Sequence, residues 1–298
     1  MNAKSRRQYA EFEKIIPWSS MGRSTVASQV GRSLLPIGVY DPKLPVQEYE
    51  GSSKVVTNQD ENFESYLMNI VGTGILTGSG KMVTCLHVID DIIQERRKIY
   101  VLVRRSLSAN TIAYTAYPLG SGIKYIRPGE RRGDAGVDLA TFPFVYRDND
   151  GKLLDTPSIT WGDSTKLGVG DRILIGGYPF GTSMFQMTQT NRGVIQPTFL
   201  EGIVSAIIPA QNGKETRLLQ LSTLTAGGMS GGAVFNPETG RVYGMVTSSV
   251  EDPNGALYPV TYAIPSEVIL PFSGALNFSV KTIGPMGVDD PMWFDEID

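Results

Sequence analysis

From about residue 34 onward, the chain is a series of short apolar runs separated by glycines and polar clusters. Runs of this length that are rich in β-branched and aromatic residues predict β-strands. The predicted strands are 34–40, 69–77, 81–88, 99–105, 111–119 and 137–145 in a first half, and 171–181, 183–196, 202–209, 216–222, 231–236, 241–250 and 256–264 in a second. A polar break at 147–158 predicts the boundary between the halves.

Helical patterns are few and short. Residues 1–32 form a predicted N-terminal arm in which a loose helical stripe runs from Tyr9 to Trp18. This stripe is interpreted as a helix packed on the body of the protein, or as a contact with a regulatory partner or a second copy of the chain. Short helices are also predicted after residue 88 and over 265–270, and residues 273–298 form an acidic tail, which we expect to be solvated or to dock on a partner.

Composition excludes several classes of function. The chain has 298 residues, 41% of them hydrophobic, which is enough to bury a core, and its net charge of −3 gives no basic surface for nucleic acid. No apolar run is long enough to cross a membrane, and the start of the chain does not resemble a secretory signal. With one cysteine there is no internal disulfide, so we expect a cytoplasmic protein. One histidine and one cysteine also argue against a zinc site, and no cofactor or metal is predicted.

The only histidine, His87, is the strongest indication of chemistry. Histidine is the side chain that ordinarily takes and gives a proton near neutral pH. His87 follows the run KMVTCL, which places it at the end of a predicted strand. Asp138 begins the apolar run DLATFPF, and a carboxylate there needs a hydrogen-bond donor, which the His87 Nδ1–H can be. Asp134, in a polar loop, is a weaker candidate for the same role.

A serine between glycines completes the set. Ser230 lies in GGMSGGAVF, and such glycines let a loop turn so that two backbone N–H groups point at one spot. The amides of Gly228 and Ser230, with Met229 between them, would form this oxyanion hole. The order histidine, aspartate, serine along the chain is that of chymotrypsin-type proteases.

Several strings together resemble one known family. The strings GTGILT, TCLHVI, VDLATF, GDSTKLGVGD, GGYPFG, GIVS, GGMSGG and TYAIP occur in order between residues 34 and 272. The chain thereby resembles the chymotrypsin-like serine proteases, and is most similar to HtrA/Deg-type peptidase domains. The resemblance implies an all-β fold of two six-stranded antiparallel Greek-key β-barrels, residues 33–150 with His87 and Asp138 and residues 151–272 with Ser230, and we expect no PDZ module after them.

The resemblance also implies roles for individual residues. Ser230 would be the nucleophile, His87 the general base and then acid, and Asp138 the residue that orients the imidazole. An edge strand over Thr247, Ser248 and Ser249 would pair with an extended substrate. Leu224, six residues before the nucleophile, would lie at the base of the S1 pocket, with Ser249 and Val260 on its walls. Met229 departs from the family, which usually has Asn or Asp there.

Two functions follow as hypotheses. The first is a serine endopeptidase that hydrolyses protein or peptide substrates through an acyl-enzyme. Since its S1 residues carry no charge, we expect a preference for small aliphatic P1 residues. The alternative is a protease-fold binding or scaffold protein whose site is silent, or is activated only by a partner.

Overall fold

The structure is a computed structural model of the chain. It describes residues 26–40, 68–77, 81–95, 99–106, 112–119, 124–125, 137–143, 157–179, 196–209, 217–251 and 257–275. The helical stripe of the arm, the run 183–196, most of the boundary segment 147–158 and the acidic tail from 276 onward lie outside these ranges. The predictions made for them therefore stay predictions.

Among its described residues, the first half has one helix followed by seven strands, with a second helix between β3 and β4. Their bounds are α1 Val26–Gly31, β1 Leu34–Tyr40, β2 Met68–Thr77, β3 Lys81–Thr84, α2 Leu86–Gln94, β4 Ile99–Ser106, β5 Ile112–Leu119, β6 Lys124–Tyr125 and β7 Ala140–Pro143. The strands form an antiparallel sheet in the order β5-β4-β1-β2-β3-β7-β6.

The second half is a closed barrel of six antiparallel strands. Its elements are a 3-10 turn Ser164–Lys166, β8 Arg172–Gly177, β9 Thr198–Ile208, β10 Leu218–Leu221, β11 Ala233–Phe235, β12 Val242–Glu251, β13 Leu257–Pro265 and the helix α3 Ser266–Ala275. Around the barrel the order is β10-β13-β12-β11-β8-β9. The all-β class with two barrel-like sheets is confirmed. The first sheet differs in having seven strands, because the two-residue β6 joins β7 at its edge.

Two predicted elements need correction. The run 81–88 is not one strand, because β3 ends at Thr84 and helix α2 begins at Leu86. His87 therefore lies in the first turn of a helix and not at the end of a strand. The strand expected over 137–145 is shorter in the structure, since β7 begins at Ala140, which leaves Asp138 in the extended segment just before it.

The hydrophobic core is continuous across the two halves. One cluster of buried residues fills the first sheet and includes Phe235, Met245 and Ile264 of the second half. A second cluster fills the closed barrel. This packing holds the ends of β2 and β3 against the loop between β10 and β11, where the functional residues lie. Among the described residues, no helix is long and apolar enough to cross a membrane.

A buried hydroxyl pair attaches helix α3 to the second barrel. Ser164 Oγ accepts the Glu267 N–H at 3.1 Å and donates to the Glu267 carboxylate. Ser266 Oγ reaches the Gly162 carbonyl at 2.7 Å, and the Arg217 guanidinium donates to Glu267 from the other side. The helix start is thus satisfied by side chains from distant parts of the chain, as helix termini require.

We expect Ser164→Ala to lower the free energy of unfolding by about 1–3 kcal/mol, because it leaves buried partners of the hydroxyl unpaired. Urea unfolding measures the change. Thr165→Ala is the matched control, since Thr165 is exposed and the hydrogen bond from its backbone N–H to the Asp163 carboxylate remains. This variant should change the free energy of unfolding by no more than about 0.5 kcal/mol. Equal stability of the Ser164 variant and the wild type would contradict this account.

Candidate active site

The first turn of α2 and the segment before β7 meet at Asp138. The Asp138 carboxylate accepts the backbone N–H of His87 at 2.9 Å and the imidazole Nδ1–H at 2.7 Å. The N-cap residue of the helix, Cys85, makes no side-chain capping bond, so Asp138 acts as the cap from a distant strand. A carboxylate is favoured at a helix N-terminus, and this one also fixes the ring orientation.

A third donor comes from the second barrel. Thr247 Oγ1 donates at 2.5 Å to Asp138 Oδ2, the oxygen that also accepts the imidazole Nδ1–H. Burial by itself would raise the pKa of Asp138, but the hydrogen bonds from His87 and Thr247 and the attraction of the imidazole outweigh it, and the pKa lies below its ordinary value of 3.8. Asp138 therefore stays ionised and can stabilise a protonated imidazole.

Thr247 also reaches the serine. The Ser230 hydroxyl donates to the Thr247 backbone carbonyl at 3.1 Å. Thr247 thus contacts both parts of the site, with its side-chain hydroxyl on the Asp138 carboxylate that holds His87 and its backbone carbonyl on Ser230. The three residues singled out from the sequence come together here, although in this structure the hydroxyl bonds to Thr247 and not to the imidazole. The His87 side chain is 49% exposed.

The loop before Ser230 has the conformation that its glycines permit. Gly228 has φ +88° and Gly231 has φ +83°, a region that favours glycine. A Cβ on Gly231 would lie 1.9 Å from the Thr73 carbonyl oxygen. No described residue accepts a backbone hydrogen bond from the N–H of Gly228 or of Ser230. These are the two donors proposed for an oxyanion.

Met229 faces away from this spot. Its side chain is 1% exposed and packs in the core of the closed barrel. Its N–H donates to the Ala226 carbonyl at 3.1 Å. Of the three residues assigned to the oxyanion hole, Met229 therefore contributes the connecting backbone while Gly228 and Ser230 keep their amides available.

Cys85 lies beside the carboxylate. Its buried thiol donates to the Val246 carbonyl at 3.0 Å. Burial raises the pKa of this thiol well above its ordinary value, and the charge of Asp138 adds to the effect. Donor atoms of Cys85, His87 and Asp138 lie within 4.8 Å of one another. The imidazole Nδ1 is bonded to the Asp138 carboxylate at 2.7 Å, which orients the ring.

The residues assigned to substrate binding differ in their exposure. Ser248 is exposed, Ser249 and Val260 are half-buried, and Leu224 is 42% exposed. The neighbour of Leu224, Thr225, is buried, and its hydroxyl bonds to Ser249 Oγ at 2.6 Å and to Thr261 Oγ1 at 3.0 Å.

Sequence reasoning did not find the buried threonines around the site. Thr225 and Thr261 are fully or almost fully buried and hold the segment before the nucleophile loop against β12 and β13. Thr73 in β2 bonds to both Gly228 and Ser230. The signal available in the sequence was weak, because threonine is a common strand residue.

Comparison with known proteins supports one family. Residues 72–245 match the family described as trypsin-like peptidase domain. The fold is similar to that of the HtrA-type protease AlgW with decapeptide, with a TM-score of 0.53, 19% identity, and coverage of 85% of this chain and 66% of that chain. It is also similar to Deg5, with a TM-score of 0.50, 15% identity, and coverage of 91% and 93%. No curated protein matches the sequence.

The likeness has a limited extent. In the structure of AlgW with tripeptide, which has a TM-score of 0.50, this chain covers 62% of the protein. The chain thus spans less than two thirds of the length of the AlgW structures. At these identities the likeness shows the fold, which is the two-barrel fold that the sequence strings implied.

The lowered pKa of Asp138 predicts how stability depends on pH. A carboxylate whose pKa is lower in the folded than in the unfolded protein stabilises the fold above its unfolded pKa, and this contribution is lost as the pH falls through the folded pKa. The stability difference between the wild type and Asp138→Asn should therefore shrink as the pH falls from 6 toward about 3. Urea unfolding at a series of pH values measures it.

Thr247→Val serves as the second variant in this experiment. It removes one of the hydrogen bonds that lower the pKa of Asp138. As the pH falls, the stability that the ionised Asp138 contributes should therefore begin to decrease at a higher pH in this variant than in the wild type. A stability difference that does not change with pH would contradict the assignment of an ionised, hydrogen-bonded Asp138.

Proposed function

The chain belongs to the trypsin-like peptidase domain family, and from this premise we propose that it is a serine endopeptidase whose catalytic residues are Ser230, His87 and Asp138. The observation that carries the proposal is that Thr247 contacts both parts of the site: its side-chain hydroxyl bonds to the Asp138 carboxylate that holds the imidazole, and its backbone carbonyl accepts the Ser230 hydroxyl.

Acylation begins with a movement of the serine. The Ser230 hydroxyl leaves the Thr247 carbonyl and turns to the imidazole Nε2, which takes its proton as Oγ attacks the substrate carbonyl carbon. Asp138 stabilises the imidazolium. The oxyanion of the tetrahedral intermediate accepts hydrogen bonds from the amides of Gly228 and Ser230. His87 then gives its proton to the leaving amine, and a water attacks the ester in the same way.

The edge of β12 suits an extended peptide. Strand β11 pairs with β12 only as far as Met245. Among the described strands, Ser248 and Ser249 pair on one side only, with β13, and Thr247 lies at an irregularity of that pairing. A peptide added to this edge gains backbone hydrogen bonds. Its N–H would take the Thr247 carbonyl that Ser230 otherwise uses, so substrate binding would free the hydroxyl. The structures of AlgW with a tripeptide and a decapeptide support a peptide as substrate.

We expect a fluorophosphonate probe to add covalently to the wild type at one site per chain, seen as a shift in intact mass. Ser230→Ala should abolish the addition, and Ser230→Ala and His87→Ala should each lower kcat on a peptide substrate by about 10⁴-fold or more. Ser222→Ala is the matched control, since Ser222 is an exposed serine whose hydroxyl accepts the Ile203 N–H. Labelling that persists in Ser230→Ala would contradict the proposal.

One observation favours the second candidate, a binding or scaffold protein with a silent or partner-activated site. The Ser230 hydroxyl bonds to the Thr247 carbonyl instead of the imidazole, which is an inactive orientation. The same experiment separates the candidates. Labelling of the isolated chain supports the enzyme, labelling only with a partner present supports a switched site, and no labelling in either case supports the binding protein.

We also propose a preference for small aliphatic P1 residues. The residues assigned to the predicted S1 pocket carry no charge: Leu224 and Val260 are apolar, and Ser249 has a neutral hydroxyl. The hydrogen bond between Ser249 and Thr225 joins strand β12 to the opposite segment and limits the depth available to a side chain. A lysine or arginine would find no carboxylate there among the described residues named above.

Cleavage of a peptide library should therefore show Val, Ala or Leu at P1. Leu224→Asp should raise kcat/KM for Lys and Arg substrates by about 10-fold or more, because it supplies a charge partner. Val169→Asp is the control, since Val169 is 65% exposed and lies before β8; it should leave the profile unchanged. A wild-type profile dominated by Lys or Arg would overturn this part of the proposal.

A further inference from the structure

Thr73 is a fully buried residue of β2 whose N–H, hydroxyl and carbonyl all make hydrogen bonds near the nucleophile loop. Its N–H donates to the Ser230 carbonyl at 2.9 Å, and its hydroxyl donates to the Gly228 carbonyl at 2.8 Å. The same hydroxyl accepts the Tyr178 N–H at 3.0 Å, and the Thr73 carbonyl accepts the Thr84 hydroxyl at 2.8 Å. One residue of the first sheet thus holds the nucleophile loop of the second barrel at two points.

One of these two points, the Gly228 carbonyl, belongs to the peptide that joins Gly228 to Met229. The Gly228–Met229 peptide separates the two candidate oxyanion donors. Its oxygen is held by Thr73, and its N–H is held by the Ala226 carbonyl. Gly228 has φ +88° and no side chain, so its own backbone admits other orientations. An external hydrogen bond is needed to select the one in which both donors point outward.

The contact is built closely. A Cβ on Gly231 would lie 1.9 Å from the Thr73 oxygen and 2.5 Å from Thr84 Oγ1. The backbone of β2 therefore approaches the loop as near as glycine allows. The Thr73 hydroxyl, which has one proton to donate, is fixed in direction because it also accepts from Tyr178.

We propose that Thr73 is a positioning residue for catalysis: through its hydrogen bond to the Gly228 carbonyl it sets the orientation of the oxyanion-hole amides. It does not touch the substrate. This inference rests on the proposed function, since an oxyanion hole is useful only to an enzyme that forms an oxyanion.

The test compares Thr73→Val, Thr73→Ser and Thr77→Val. Valine has nearly the shape of threonine without the hydroxyl, and serine restores the hydroxyl. Thr77 lies in the same strand, is buried, and donates to the Lys81 carbonyl at 3.1 Å in the hairpin with β3; it is the matched control for the loss of a buried hydroxyl. Active sites are titrated first, so that rates refer to folded enzyme.

We expect Thr73→Val to lower kcat by about 10-fold to 100-fold, with KM changed by no more than about 3-fold, because the lost interaction acts in the transition state. Affinity for a peptide boronate, whose oxygen occupies the oxyanion hole, should fall in parallel. Thr73→Ser should recover most of the rate, and Thr77→Val should be as active as the wild type. Binding of a substrate peptide to Ser230→Ala should not change when Thr73→Val is added.

A merely structural role gives a different result. If the activity per titrated site of Thr73→Val equals that of the wild type, or if KM rises and peptide binding weakens by the same factor as kcat falls, the inference is wrong. Equal losses in the serine and valine variants would assign the effect to the methyl group and also overturn it.

A second measurement does not depend on activity. If the wild type hydrolyses nothing and takes no probe, the proposed function fails, but the hold on Gly228 is still testable. The amide signals of Gly228 and Ser230 in nuclear magnetic resonance spectra should shift, and their hydrogen exchange should speed up, in Thr73→Val and not in Thr77→Val. Unchanged signals and exchange at both amides would overturn the positioning role.

Discussion

The geometry of this protein depends on a single, largely buried negative charge. The Asp138 carboxylate must find hydrogen-bond donors, since burying it unpaired would cost several kcal/mol (~3–5). It finds two on His87, at the start of a helix with no cap of its own, and one on Thr247 in the opposite barrel. Satisfying this charge therefore fixes the helix start, the imidazole ring and the approach of the two halves at once. Stability and site geometry have the same physical origin here, so a change that frees the carboxylate disturbs both.

The seam between the halves uses hydroxyl and thiol groups in place of continuous sheet pairing. Where β2 and β3 meet the second barrel, the Gly228 carbonyl of the nucleophile loop accepts from the Thr73 hydroxyl. The Val246 carbonyl of β12 accepts from both the Cys85 thiol and the Gly231 N–H. Buried carbonyls left unpaired would be costly, and short side chains satisfy them while letting the backbones approach closely. Gly231 completes the arrangement from the other side by carrying no Cβ. This explains why small residues gather where the two barrels touch.

The sequence predicts the strands of both halves well, because each is a short run bounded by turn residues. It fails at His87, since KMVTCLHVI is apolar throughout and its period does not separate strand from helix. Glycines around Ser230 and the isolated histidine made those residues recognisable. Thr73 was not recognisable, because its partner Gly228 lies 155 residues away. The sequence of a strand does not distinguish a threonine whose hydroxyl makes a tertiary hydrogen bond from one whose hydroxyl does not. Thr225 was not recognisable for the same reason, since it is a buried strand-type residue next to the partly exposed Leu224.

Thr247 connects the stable part of the site with the part that must move. Its side chain hydrogen-bonds to Asp138, whereas its carbonyl holds the Ser230 hydroxyl by one partly buried hydrogen bond of 3.1 Å. A neutral hydrogen bond of this kind contributes only about 1 kcal/mol, so a substrate strand that offers its own N–H to the carbonyl can displace it. The imidazole, the carboxylate and the loop held by Thr73 need not rearrange when this happens. In the proposed mechanism, the movement that precedes attack is therefore a rotation of the Ser230 side chain, while the hydrogen bonds around Asp138 and the bond from Thr73 to the nucleophile loop are already formed in this structure.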